Sequence, residues 1–109
     1  NNTNKKRGVL YYMQKTHNKD FKHSPSKIPG SSRVIKKISN IYKKKYYSLK
    51  AGDCVIHDSK CVHGSFKNSS GKDRIAYIIS FVSKNSKKDL SKRNEYENNL
   101  KKLNAKRLN

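Results

Sequence analysis

The sequence predicts a mainly β protein, a sandwich or barrel of which this chain forms a part. Short runs rich in β-branched and aromatic residues alternate with turn signals, a pattern typical of all-β folds. Little helix is predicted to cover these strands. With 109 residues, 32% of them hydrophobic, the chain would bury only a small core by itself.

The first half of the chain contains one clear strand signal, followed by a long polar stretch. Residues 8–13 are β-branched and aromatic, which favours a strand. Residues 14–33 contain both prolines of the chain and predict a long loop, and long ordered loops usually carry function. We expect a short strand or a turn of helix at residues 34–41 and a further strand at 46–49.

The second half predicts three more strands, at residues 54–57, 61–65 and 74–82. The last of them, RIAYIISFV, is apolar on both faces, which is typical of a central strand. A turn signal at residues 68–71 separates it from the strand before. We therefore expect the strands at 61–65 and 74–82 to be antiparallel neighbours.

The tail is predicted either to form a polar helix or to be disordered. Ser86 and Asp89 have the spacing of a capping box. The leucines of the tail fit helical spacing only loosely: Leu90, Leu100, Leu103 and Leu108. The predicted organisation is a polar end at residues 1–7, a β domain at 8–83 and a basic tail at 84–109.

The formal net charge of +20 is unevenly distributed. Lys and Arg outnumber acids by thirteen to one in residues 1–45 and by nine to three in 84–109, but only by five to three in 46–83. The nearly neutral middle also holds most of the apolar residues. Because lysine is common at exposed positions, we favour a compositional bias over a functional basic surface. A basic nucleic-acid-binding module, with the KKKYY run at 43–47 as its contact, stays open as an alternative to a solvated loop.

Composition also bears on location. No apolar run approaches the ~18 residues that span a bilayer, and the polar start of the chain shows no signal peptide. Two cysteines cannot build a disulfide framework. We expect a protein of the reducing intracellular environment, in the cytoplasm.

One pair of residues, His63 and Arg74, suggests a chemical function. His63 lies on a predicted strand, and Arg74 begins the next one across a short turn, so the two side chains are expected side by side. A neutral imidazole is the commonest metal ligand, and a guanidinium is the natural partner of a carboxylate. This pairing predicts a site that holds an organic acid against a metal. By themselves, a strand histidine and a solvated arginine remain the simpler interpretation.

A second group of ligand-type residues lies close to these in sequence. The two cysteines are separated by six residues, which is not the spacing of a zinc site. We therefore favour ordinary packing over a second metal cluster for the four residues concerned: Cys54, His57, Asp58 and Cys61.

Residues 51–81, AGDCVIHDSKCVHGSFKNSSGKDRIAYIISF, resemble the C-terminal half of the phytanoyl-CoA dioxygenase family. The family pattern runs Gly-Asp, His-Gly-Ser, Asn-x-Ser and Arg in this order. Upstream, GVLYYMQKTH at residues 8–17 is similar to the family's Gly-x-Leu strand and Pro-Gly-Ser-His turn, with Gln-Lys-Thr in place of Pro-Gly-Ser. The resemblance covers residues 6–83.

The resemblance implies an iron(II)- and 2-oxoglutarate-dependent oxygenase on a double-stranded β-helix, a cupin-like jelly roll. It makes His63 the distal iron ligand. It also implies that Arg74 binds the far carboxylate of 2-oxoglutarate and that Ser65 donates a hydrogen bond to the same carboxylate. The substrate would be a small molecule or an acyl chain.

Four further residues receive supporting roles from the resemblance. Asn68 and Ser70 would hold the turn between the two strands, and His17 and His23 would lie near the mouth of the site. The family's other two iron ligands form a His-x-Asp pair, and neither His-x-Asp nor His-x-Glu occurs here. We therefore expect the C-terminal portion of such an enzyme, partnered by a missing N-terminal half. The alternative is a non-catalytic relic that binds an anion.

Overall fold

The computed structural model describes residues 2–26 and 31–106, which form short antiparallel strands and one helix. The predicted fold class, a mainly β chain and partial jelly roll with a tail that is either helical or disordered, is confirmed, and the tail is helical. The elements in chain order are β1 (Leu10–Met13), β2 (His23–Pro25), β3 (Ser32–Val34), β4 (Lys44–Tyr46), β5 (His63–Ser65) and α1 (Leu90–Ala105).

The first of two compact units joins Asn1–Asp20 with Lys37–Ile78. Its sheet has the strand order β4-β1-β5, with both pairs antiparallel. β1 and β5 lie within the strands predicted at 8–13 and 61–65. β4 begins two residues before the strand predicted at 46–49, inside the lysine run that we had assigned to a loop. As an edge strand β4 has solvent on its outer side, where lysine is well tolerated.

The core of this unit lies around β1 and the turn that follows it. Val9 and Met13 are 2% and 4% exposed, and Thr16 is completely buried. The Thr16 hydroxyl donates to the Met13 carbonyl at 2.7 Å and accepts from the Val62 amide at 2.9 Å. Because these bonds join the end of β1 to the residue before β5, Thr16 fixes the position at which β5 begins.

The second compact unit joins Phe21–Lys36 with Ile79–Asn109. Its β2 and β3 pair antiparallel within residues 14–33 and just beyond, where we expected an unbroken loop. That prediction is wrong because the backbone N–H and C=O groups of these two polar segments hydrogen-bond to each other in a two-stranded antiparallel ladder.

Helix α1 decides between the two states left open for the tail, and it packs against β2. Its N-cap is Asp89, which accepts from the Lys92 amide at 3.0 Å, so the cap predicted at Ser86 is three residues too early. Aspartate caps as well as serine, and its charge also suits the helix dipole. Leu108 lies outside the described residues. Within the described residues, no helix is long and apolar enough to cross a membrane.

Two predicted strands are absent from the described residues. Residues 54–57 and 74–82 have no strand pairing. In the second segment Ile75 is 76% exposed and Phe81 is 90% exposed. A central strand needs a hydrogen-bonding neighbour on each side and a layer on each face, and the described residues supply none of these to 74–82. Its apolar pattern is a strand signal, but no strand pairing among the described residues satisfies it.

Candidate functional site

Strand β5 carries the first part of the candidate site. Alternation along the strand places His63 and Ser65 on one face, and both are exposed. Gly64 faces the other way, under the ring of Tyr11. A Cβ at Gly64 would lie 2.6 Å from the Tyr11 hydroxyl oxygen, which is too close for any side chain without displacing the ring. The glycine therefore lets Tyr11 cover one face while the other stays open.

The imidazole of His63 has a defined orientation. Its Nδ1 lies 2.8 Å from the Cys61 carbonyl oxygen. Because a carbonyl oxygen only accepts, Nδ1 carries the hydrogen, and Nε2 of the neutral ring keeps its lone pair. A histidine held in this way has the arrangement that metal-binding histidines usually have.

The turn after β5 is closed by side chains. The Asn68 amide donates to the Lys72 carbonyl at 2.8 Å, and the Ser70 hydroxyl donates to the Asn68 side-chain oxygen at 2.7 Å. The Ser70 backbone amide donates to the same oxygen at 3.1 Å. These bonds define the chain path between β5 and Arg74.

Arg74 follows this turn and is half-buried, whereas both of its neighbours in sequence are exposed. The chain just before it is anchored, because the Arg7 guanidinium donates to the Asp73 carbonyl at 3.1 Å. An isolated bridge between Arg7 and Asn68 adds a second anchor. Arg74 itself is not in a strand, so the prediction that it lies on a strand beside His63 is wrong. The missing strand is the one at 74–82, which finds no pairing partner among the described residues.

The other predicted site residues lie in different parts of the chain. His17 directly follows Thr16 and is exposed, in the first unit. His23 begins β2 in the second unit, with its Nδ1 3.1 Å from the Phe21 carbonyl oxygen. The placement of both histidines at the mouth of a site stays a prediction.

His57 is the neighbour of His63 that sequence reasoning missed. The two ring centroids are 4.7 Å apart, and His57 also lies 5.2 Å from the Tyr12 ring. His57 is exposed, so the packing role that we favoured for its sequence cluster does not describe it. The one signal in the sequence was that His57 precedes His63 by only six positions. The two rings meet because the chain between them turns back.

Tyr12 forms the floor beneath these two rings and lies opposite His63 in the sheet. Burial raises the pKa of Tyr12 above its ordinary value, and the Cys61 thiol adds to the rise. The phenol is therefore neutral at pH 7. It gives the two imidazoles an uncharged aromatic neighbour.

The turn after β1 supports the upstream part of the family resemblance. Lys15 adopts a φ of 62°, the left-handed region that favours glycine. It occupies the position where the Pro-Gly-Ser-His turn has its glycine. Thr16, in the place of the serine, supplies the hydroxyl that closes the turn. Lysine therefore adopts at this position a backbone conformation that glycine favours.

The comparisons with known proteins point to one family. The family model described as phytanoyl-CoA dioxygenase (PhyH) matches residues 2–76, a range that includes His63, Ser65 and Arg74. Neither a curated protein nor a solved structure matches the chain. The family consists of iron(II)- and 2-oxoglutarate-dependent dioxygenases on a jelly-roll fold, and the antiparallel sheets of this chain are a partial jelly roll.

The described residues do not fit the family's complete iron site. A facial triad takes two histidines and one carboxylate. Within residues 2–26 and 31–106 no group of three or more His, Cys, Asp or Glu side chains could hold a metal ion. The family assignment rests on the match to 2–76, more than half of the sequence, and the chain belongs to the phytanoyl-CoA dioxygenase family.

Proposed function

We propose that this chain supplies the carboxylate-binding part and one metal ligand of an iron(II)- and 2-oxoglutarate-dependent dioxygenase. Arg74 pairs with the far carboxylate of 2-oxoglutarate, Ser65 donates a hydrogen bond to it, and His63 is the metal ligand. The observation that carries the proposal is the open face of β5. There His63 and Ser65 lie side by side, with Nε2 of His63 left as an acceptor.

Arg74 suits the role of carboxylate partner. Its guanidinium can form two parallel hydrogen bonds with a carboxylate, an arrangement that lysine cannot reproduce. The half-burial of Arg74 reduces the screening of such a pair by water. The closed turn at 68–72 and the anchored Asp73 carbonyl hold the backbone from which it projects. Less conformational freedom is then lost when the ligand binds.

The remaining iron ligands would come from another segment of the same domain. The sequence has no His-x-Asp or His-x-Glu, and the described residues contain no three-ligand cluster. We propose that the chain by itself binds iron(II) weakly and does not turn over 2-oxoglutarate. The substrate is a small molecule or an acyl chain, a choice that the fold does not determine.

A non-catalytic relic that binds an anion through Arg74 is the second candidate. The observation that favours it is the absence of a three-ligand cluster in residues 2–26 and 31–106. The two candidates differ in one measurable respect. The full-length protein consumes 2-oxoglutarate in the first case, and in the second it only binds the dianion.

Steady-state kinetics of the full-length protein, with 2-oxoglutarate varied at saturating iron(II), test the proposal. Removing one partner of a buried charge pair costs ~2–5 kcal/mol. Arg74→Ala should therefore raise the KM for 2-oxoglutarate by at least ~30-fold, at 1.4 kcal/mol per decade. Arg74→Lys should restore part of the loss, and His63→Ala should abolish turnover at any 2-oxoglutarate concentration.

Lys72→Ala is the matched control, because Lys72 is an exposed cation two residues from Arg74. We expect its KM to equal that of the wild type. If Arg74→Ala leaves the KM unchanged while Lys72→Ala raises it, the carboxylate partner is misassigned. Absence of 2-oxoglutarate turnover by the full-length protein, with binding that Arg74→Ala abolishes, would establish the relic.

A further inference from the structure

His57 and His63 form a pair that the family pattern does not contain. His63 belongs to the family's His-Gly-Ser motif, whereas His57 lies in the preceding loop, outside any strand. Their ring centroids are 4.7 Å apart and the ring planes meet at 51°. Both side chains are exposed, so an ion from solution can reach them without any rearrangement of the core.

Both rings are held in the same tautomer. His57 Nδ1 lies 2.9 Å from the Asp58 carbonyl oxygen, just as His63 Nδ1 lies 2.8 Å from the Cys61 carbonyl oxygen. Each carbonyl needs a hydrogen on Nδ1, so each neutral ring keeps the lone pair on Nε2. Two imidazoles with their donors already engaged by backbone carbonyls have the second-shell arrangement of metal ligands.

The separation of the rings also fits a shared metal ion. A metal–nitrogen bond of about 2.1 Å and a ring radius of about 1.1 Å put each centroid about 3.2 Å from a metal bound at Nε2. Coordination angles of about 90–109° then separate the two centroids by about 4.5–5.2 Å. The observed 4.7 Å lies inside this range.

The lysine nearest to the pair in sequence is itself paired with a carboxylate. Lys60 is the one lysine between the two histidines in sequence, and its ammonium bonds the Asp20 carboxylate at 3.0 Å. The lysine charge is thus offset by a carboxylate.

We propose that His57 and His63 together bind a divalent transition-metal ion through both Nε2 atoms, with water in the remaining coordination positions. Imidazole ligands select ions such as Ni²⁺, Cu²⁺ and Zn²⁺ over Mg²⁺ and Ca²⁺. The proposal rests on the ring geometry alone and needs neither Arg74 nor 2-oxoglutarate. It adds His57 as a ligand that the family pattern does not assign.

Calorimetric titration of the 109-residue chain with Ni²⁺ at pH 7.5, without 2-oxoglutarate, tests the pair. We expect one strong site per chain in the wild type. His57→Ala and His63→Ala should each weaken it at least ~10-fold, since even the loss of an outer-shell partner of a metal ligand costs 10–100-fold. Mg²⁺ should not compete.

The two other histidines of the chain provide the matched controls. His17→Ala and His23→Ala each remove one exposed imidazole but leave the pair intact, so Ni²⁺ affinity should not change. His57→Gln and His63→Gln, with far-UV circular dichroism of every variant, separate loss of a ligand from loss of folding. Electron paramagnetic resonance of the Cu²⁺ form should show two equivalent nitrogen ligands in the wild type and one in either variant.

Two outcomes would overturn the pair. If His57→Ala binds Ni²⁺ as tightly as the wild type while His63→Ala does not bind, His63 is a lone ligand, and its assigned role in the dioxygenase survives. If all four histidine variants lose affinity equally, binding is a sum of independent surface imidazoles.

Discussion

Thr16→Val is the substitution whose effect the structure predicts most directly. Valine has nearly the shape of threonine but lacks the hydroxyl, so the change removes the hydrogen bonds and leaves the side-chain volume nearly unchanged. The buried hydroxyl bonds the Met13 carbonyl at 2.7 Å and the Val62 amide at 2.9 Å. A buried polar group left without its partner costs ~1–3 kcal/mol. We expect Thr16→Val to lower the free energy of unfolding by about 2 kcal/mol.

Thr16→Ser is the control, because it keeps the hydroxyl and removes only a methyl group, worth ~0.8 kcal/mol of apolar burial. Urea unfolding of the two variants and the wild type, monitored by circular dichroism, measures the difference. We expect the order wild type, then Thr16→Ser, then Thr16→Val. If Thr16→Val is as stable as the wild type, or more stable than Thr16→Ser, apolar burial rather than the hydroxyl dominates at this position.

Two further predictions concern the turn and the helix. Lys15→Gly should raise the free energy of unfolding by about 1 kcal/mol, because the φ of 62° strains any L-residue with a Cβ. Lys15→Val should lower the free energy of unfolding for the same reason. Equal stability of the two variants in urea unfolding would show that the backbone at Lys15 is not strained. The hydrogen bond from Arg93 lowers the pKa of Glu97 below its ordinary value. The pair therefore stabilises α1 at pH values above the pKa that Glu97 has in the unfolded chain, and this stabilisation is lost as the pH falls through the lower pKa of Glu97 in the folded chain. Helical ellipticity should therefore fall more between pH 7 and pH 3 in the wild type than in Glu97→Gln, and an equal fall in both would contradict the assignment.

The residues of the candidate site, but not their arrangement, were proposed from the sequence. The ordered motif around His63 and Arg74 indicated the family because its residue types and their order match the family pattern, and the family match to residues 2–76 confirms that family. The strand at 8–13 was predicted for a local reason: β-branched and aromatic residues favour an extended backbone whatever their partners are.

The missed features depend on contacts that are distant in sequence. RIAYIISFV reads as the strongest strand, yet the described chain gives it no neighbour, and strand pairing is a property of two segments. The lysines of β4 predicted a loop because a local sequence pattern contains no information about β1, the pairing strand that lies about thirty residues earlier. His57 was dismissed on cysteine spacing, although its partner is a histidine.

The sequence by itself determined the fold class and the family, and it nominated the residues proposed to bind a metal and a carboxylate, because residue type and spacing are local properties. Only the tertiary structure decided which of those residues meet. The Thr16 hydroxyl fixes the start of β5, carbonyl groups orient the two imidazoles, and the return of the chain after His57 brings its ring to His63. Side-chain direction and backbone hydrogen bonding set these contacts, and neither is fixed until the chain has folded.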